Sequence, residues 1–113
     1  MNRIINYLSN FIHYYFKVVN FDIIENKEDV FVLKNSNSLF TGTAIQYYYE
    51  GGIKERIRFK NGLKSGKSFT YYKNGKVREK AIFKKGTLNG IAYLYTEDGN
   101  IGARIRYRNG QMI

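Results

Sequence analysis

The chain has 113 residues, 25% charged and 43% hydrophobic, with 11 Gly and neither Pro nor Cys. That length permits one domain around one modest core, and the missing cysteines remove disulfides, thiolate nucleophiles and thiolate metal sites. His13 is the lone histidine, which excludes a histidine-rich metal centre, and the net charge of +10 points to anionic partners.

Residues 2–19 carry Ile4, Ile5, Leu8, Phe11, Ile12, Tyr15, Phe16 and Val19 at spacings of three and four. This apolar stripe predicts an amphipathic helix over 1–20. Eighteen residues span ~27 Å at the helical rise, close to the ~29 Å width of seven paired strands, so the helix is expected to lie on a sheet. The rival is an interfacial membrane helix, against which the polar side offers little charge, only Arg3 and Lys17. Asn6, Ser9, Asn10 and His13 interrupt any export signal, and no run approaches the ~20 apolar residues of a membrane span. Cytoplasmic residence is the expectation. His13 falls on the polar side and is given no role.

Residues 20–28 read as a connection, and 29–38 as a lead-in segment whose strand is Asp29-Val30-Phe31-Val32-Leu33-Lys34. Three gapless blocks of 24 residues follow, 39–62, 63–86 and 87–110. Glycine recurs at the fourth block position (Gly42, Gly66, Gly90), the thirteenth (Gly51, Gly75, Gly99) and the last (Gly62, Gly86, Gly110), and tyrosine at the ninth (Tyr47, Tyr71, Tyr95). Apolar residues alternate within each block, as in Phe69/Tyr71 and Val77/Ala81/Phe83, on either side of Glu-Gly, Asn-Gly or Asp-Gly. Each block is therefore expected to be a β-hairpin. Both apolar sets fall on odd block positions, so a three-residue loop is needed to keep them on one face, with the thirteenth glycine left-handed. Gly75→Ala should then be costly. The fold expected is α+β: an N-terminal helix packed on a seven-stranded antiparallel meander, with 1–113 as a single domain.

The cores Tyr71-Tyr72-Lys73-Asn74-Gly75, Tyr47-Tyr48-Tyr49-Glu50-Gly51 and Tyr95-Thr96-Glu97-Asp98-Gly99 resemble the bacterial variant of the MORN repeat. The opening Leu39-Phe40-Thr41-Gly42, after a short strand, resembles that of toxin–antitoxin system antitoxins of the YwqK type. This likeness covers residues 29–110. It implies a binding module rather than an enzyme, with contacts to phospholipid or to protein as the known uses of the repeat. The chain departs from these relatives in having no secretion signal and the predicted helix in its place.

Charge supplies the candidate site. Residues 1–38 hold four bases and four acids, whereas 39–110 hold fifteen bases and five acids, so the whole excess lies in the blocks. Even positions of each second strand carry Lys54, Arg56, Arg58 and Lys60, then Arg78, Lys80 and Lys84, then Arg104, Arg106 and Arg108. In regular strands these all point away from the apolar face, forming a basic surface for an acidic protein partner, a toxin being one candidate. Attachment to anionic phospholipid headgroups is the alternative, and a solvated face with arginines guarding an open edge is the plainest reading. Tyr48 and Tyr72 are expected on the same face, where they could stack on bases; two tyrosines make nucleic-acid binding a minor reading.

No catalytic group, metal site or cofactor is expected. Glu55 and Glu79, two strands apart at ~10 Å, are too far for a retaining carboxylate pair. Gly62-Leu63-Lys64-Ser65-Gly66-Lys67-Ser68 imitates a phosphate loop but has three residues between its glycines where four are needed. Partner identity and oligomeric state are not written in the sequence.

Overall fold

A tight turn at each block boundary and a wider one inside each block set the architecture. The computed structural model describes residues 18–113. Its long strands are β4 (Gly42–Tyr47), β5 (Ile53–Lys60), β7 (Gly66–Tyr71), β8 (Val77–Lys84), β10 (Gly90–Tyr95) and β11 (Ile101–Arg108). The short strands β6 (Leu63–Lys64), β9 (Thr87–Leu88) and β12 (Gln111–Met112) each double back on the strand before them. Neighbours in the long series pair antiparallel, in chain order.

Inside each block the loop is the three-residue kind that parity requires. In the second hairpin the Tyr72 N–H donates to the Lys76 carbonyl at 2.8 Å and the Gly75 N–H to the Tyr72 carbonyl at 2.9 Å, with Gly75 at φ +89°. The same pair of bonds recurs around Gly51 and Gly99. Between blocks the turn has two residues, both left-handed: Asn61-Gly62, Lys85-Gly86 and Asn109-Gly110. That is the geometry that matches strand twist. Gly62, Gly86 and Gly110 donate in turn to the carbonyls of Phe40, Lys64 and Leu88, so the same bond ties the last residue of each block to its second.

Two residue pairs beyond each hairpin loop the register slips. Tyr71 is opposite Val77, but Thr70 is opposite Glu79, leaving Arg78 as the extra residue of a β-bulge. Lys54 and Gly102 are the extras in the other hairpins. A slip of one residue inverts which side chains share a face. From there on, the even residues of each first strand lie with the odd residues of the second: Ala44 is opposite Ile57, Ser68 opposite Ala81, and Ala92 opposite Ile105. Glycine takes the last place in this series, with Gly42, Gly66 and Gly90 opposite Phe59, Phe83 and Tyr107. The expectation that odd residues of both strands point inward is thus corrected.

The core lies over the first hairpin. β2 (Ile24–Lys27) and β3 (Val30–Leu33) form a separate two-stranded sheet whose turn, Glu28-Asp29, has φ 54° and 70°. The buried set Ile24, Phe40, Ala44, Ile57 and Phe59 is flanked by Val19, Phe21, Phe31 and Leu33. Phe31 and Phe40 rings stand 4.8 and 5.6 Å from that of Phe59. Backbone bonds from Phe31 N–H to the Gly62 carbonyl and from Gly62 N–H to the Phe40 carbonyl, both 2.8 Å, fix the small sheet to the first boundary turn.

Three expectations fall here. The α+β class is overturned: the described residues are strands, turns and loops, with one 3₁₀ turn, Phe21–Ile23, and no α-helix. Within the expected helix of 1–20, Val18–Asn20 is instead β1, paired parallel with β4; β-branched Val18 and Val19 suit an extended edge. Residues 1–17 of that expected helix, His13 among them, lie outside the described residues. The lead-in strand does not extend the meander: it pairs with β2, and Val32 rather than its odd neighbours is the buried residue, at 2% exposure.

Candidate binding face

The bulges decide what the basic residues stand beside. Following the register across six strands gives one continuous row: Ile45, Arg56, Phe69, Lys80, Tyr93, Arg104. Cations therefore alternate with an aliphatic or aromatic side chain on the same face. Lys80 Nζ lies 5.8 Å from the Tyr93 ring centroid and Arg104 Cζ 5.9 Å from it, on the two neighbouring strands. Cation–π attraction at such partly exposed positions contributes about 0.5–1 kcal/mol, which holds both charged groups above the ring.

Beyond this row Arg58 is opposite Thr43, Lys67 opposite Ile82, and Arg106 opposite Ile91. Strand alternation then puts Lys60, Lys84 and Arg108 on the same side. At the boundary-turn end, Lys60, Lys84 and Lys85 line a cavity of about 430 Å³ with Asn61, Leu63 and Ser65. Of the ten basic residues singled out from the sequence, eight thus share the face away from Ile57 and Phe59. Lys54 and Arg78 are the exceptions, being the bulge residues themselves. Among the described residues no carboxylate pairs with this face; the ion pair that forms, Lys73 with Glu50 at 3.6 Å, joins two hairpin loops.

Tyr48 and Tyr72 are not part of this surface. They continue the alternation of Gln46 and Thr70, on the opposite side, and the Tyr48 and Tyr72 hydroxyls donate to the Tyr71 and Tyr95 carbonyls of the next hairpin. They staple neighbouring repeats, so the expected stacking platform is corrected. On the first strand of each hairpin, Ala44, Ser68 and Ala92 are likewise on the core side, away from the bases. Ile45, Phe69, Tyr93 and Lys67 stand beside the bases instead. The clue available in the sequence was the small residue at the sixth position of every block, Ala44, Ser68 and Ala92, which suits a close-packed face better than a solvated one.

Glu55 and Glu79 do lie on the core side, one on each side of Thr70 in the register, and the Thr70 hydroxyl is buried there without a hydrogen-bond partner. Two strand spacings separate the carboxylates. Among the described residues no three His, Cys, Asp or Glu side chains converge as metal ligands, and no helix is long and apolar enough to cross a membrane. The segment that imitates a phosphate loop is the boundary turn with β6 and the start of β7.

Two of the blocks have a counterpart among known sequence repeats. Residues 40–61 and 64–85 each match the MORN repeat variant. The two MORN matches fall within the first and second blocks and span the hairpins β4–β5 and β7–β8. MORN repeats are binding repeats without enzymatic activity, associated with membranes and proteins. No curated protein and no solved structure matches the chain. The resemblance to YwqK-type antitoxins therefore has no homologue behind it.

Proposed function

We propose that the chain is a non-catalytic binding module whose cationic face docks an acidic surface of a protein partner. The observation that carries this reading is the row through Arg56, Lys80 and Arg104, whose charges meet no carboxylate among the described residues. Successive cations in the row are two strands, ~10 Å, apart. Two like charges at that distance repel by ~0.4 kcal/mol in water before screening, and the Debye length of ~8 Å at physiological salt reduces it further. The isolated protein tolerates the arrangement, and an acidic partner gains from all three charges together. Half-buried Phe69 and Tyr93 between them add apolar contact area. An antitoxin or immunity role is one instance of such docking, with a toxin as the acidic partner. Cytoplasmic residence would suit it.

The test compares the full chain with its R56E/K80E/R104E variant in capture from the native host, followed by affinity measurement on the partner recovered. Loss of three contacts at about 1 kcal/mol each corresponds to about a 100-fold weaker Kd. Raised salt should weaken the wild-type complex in the same direction. Retention of every partner by the variant would show that another surface does the binding. Flotation with acidic vesicles, if it proceeds equally well with both proteins, removes headgroup attachment through this row.

A further inference from the structure

The spacing of the row defines the shape of what it binds. Register puts Arg56, Lys80 and Arg104 on β5, β8 and β11, with one intervening strand each time, and Phe69 and Tyr93 on those intervening strands. Strands lie ~4.8 Å apart, so both cations and rings repeat every ~9.6 Å across the sheet. A polyproline II helix advances ~3.1 Å per residue with three residues per turn, so every third side chain recurs on one side at ~9.3 Å. The two repeats differ by ~0.3 Å per step, about 0.6 Å over the whole row.

Other backbones fit less well. An extended β-strand presents one side every ~6.7 Å, and a duplex strand carries a phosphate every ~3.4 Å. An α-helix with an acid at every seventh residue repeats at ~10.5 Å and drifts by about 1.8 Å over the three cations. The rings favour the same answer. Proline-rich segments dock between aromatic side chains because their conformation is already fixed before binding, and Phe69 and Tyr93 stand half-exposed between the cations.

The geometry points to an acidic polyproline II segment, with Asp or Glu at every third position and proline between, lying across the strands over Arg56, Phe69, Lys80, Tyr93 and Arg104. This rests on the docking function proposed above and specifies the part of the partner that is recognised. Its carboxylates meet the three cations, and the prolines that follow them lie against the two rings. The partner's segment is thus bound by side chains alone and adds no strand to the sheet.

The direct experiment titrates the full chain against labelled peptides of equal charge: (Glu-Pro-Ala)4, (Glu-Thr)4, and a helical peptide with four Glu at seven-residue intervals. The proposal expects (Glu-Pro-Ala)4 to bind at least about 10-fold more tightly than the other two. Arg56→Ala and Arg104→Ala should each weaken it by about 5-fold, the worth of one exposed charged contact. Lys34→Ala, an exposed lysine outside the blocks, should leave it unchanged. Equal affinity for all three peptides, or preference for another spacing, overturns the polyproline assignment. In that case loss of binding in R56E/K80E/R104E would still uphold the docking face. Absence of measurable binding by (Glu-Pro-Ala)4 also overturns the assignment, while capture of a protein partner, lost in the triple variant, decides the docking function separately.

Discussion

Phe59→Ala should destabilise the protein by about 3–5 kcal/mol, read as a shift of the denaturant midpoint at constant slope. Phe59 is 1% exposed, and its ring meets those of Phe31 and Phe40 from the segment laid over the first hairpin. Truncation opens a cavity between two layers that are tied together by backbone bonds and cannot close freely. For a chain whose total stability is about 5–15 kcal/mol, the loss is a large fraction. Phe83 occupies the same block position but lies outside that covered core; it is only partly buried, with Lys64 Nζ 5.1 Å from its ring centroid. Phe83→Ala should cost about 1–2 kcal/mol, as expected for a partly covered ring. Equal costs at the two positions would mean that the β2–β3 hairpin does not form the core.

Gly62→Ala should be the most damaging glycine substitution, at about 2–5 kcal/mol. Gly62 has φ +81°, and a Cβ there would stand 3.0 Å from the Phe31 carbonyl oxygen, 3.1 Å from Leu39 Cδ2 and 3.2 Å from Val30 Cβ. The first is backbone and part of the seam that joins the small sheet to the large one, so it cannot yield without loosening the Phe31–Gly62 bond. Gly75, at φ +89°, has nothing within 4 Å of the same added atom. Gly75→Ala therefore carries only the left-handed backbone cost, about 1–2 kcal/mol. Thermal or denaturant unfolding of the two variants side by side separates the effects. A Gly75→Ala loss as large as that of Gly62→Ala would contradict the seam.

The two levels of this structure differ in how far the sequence displays them. Block length, strand pairs and the left-handed glycine at position thirteen follow from local rules, because a three-residue loop and an Asn-Gly turn each need particular residues at particular places. The bulge has no such signature: its place is taken by three different residue types, Lys54, Arg78 and Gly102. Parity carried through Val77 gives the right partner for Tyr71 and the wrong one for Phe69. Eight of the ten basic residues were legible as one surface, whereas the rings among them were not, since a single slipped residue moves Phe69 and Tyr93 from the expected core to the cationic side. Val19 belonged to the helical stripe by spacing, and the pair Val18-Val19 suits an edge strand equally well. Pairing with Thr43 and Ala44, a contact distant in sequence, selects the strand.

The central claim is that rings and cations share one face, and side-chain NOEs measure that most directly. Phe69 ring protons should show cross-peaks to the side chains of Arg56 and Lys80, and Tyr93 ring protons to those of Lys80 and Arg104. A regular hairpin without the bulge would instead place Phe69 opposite Glu79 and beside the Ala81 methyl. Cross-peaks from Phe69 to Ala81, with none to Lys80, would contradict the account and dissolve the binding face with it.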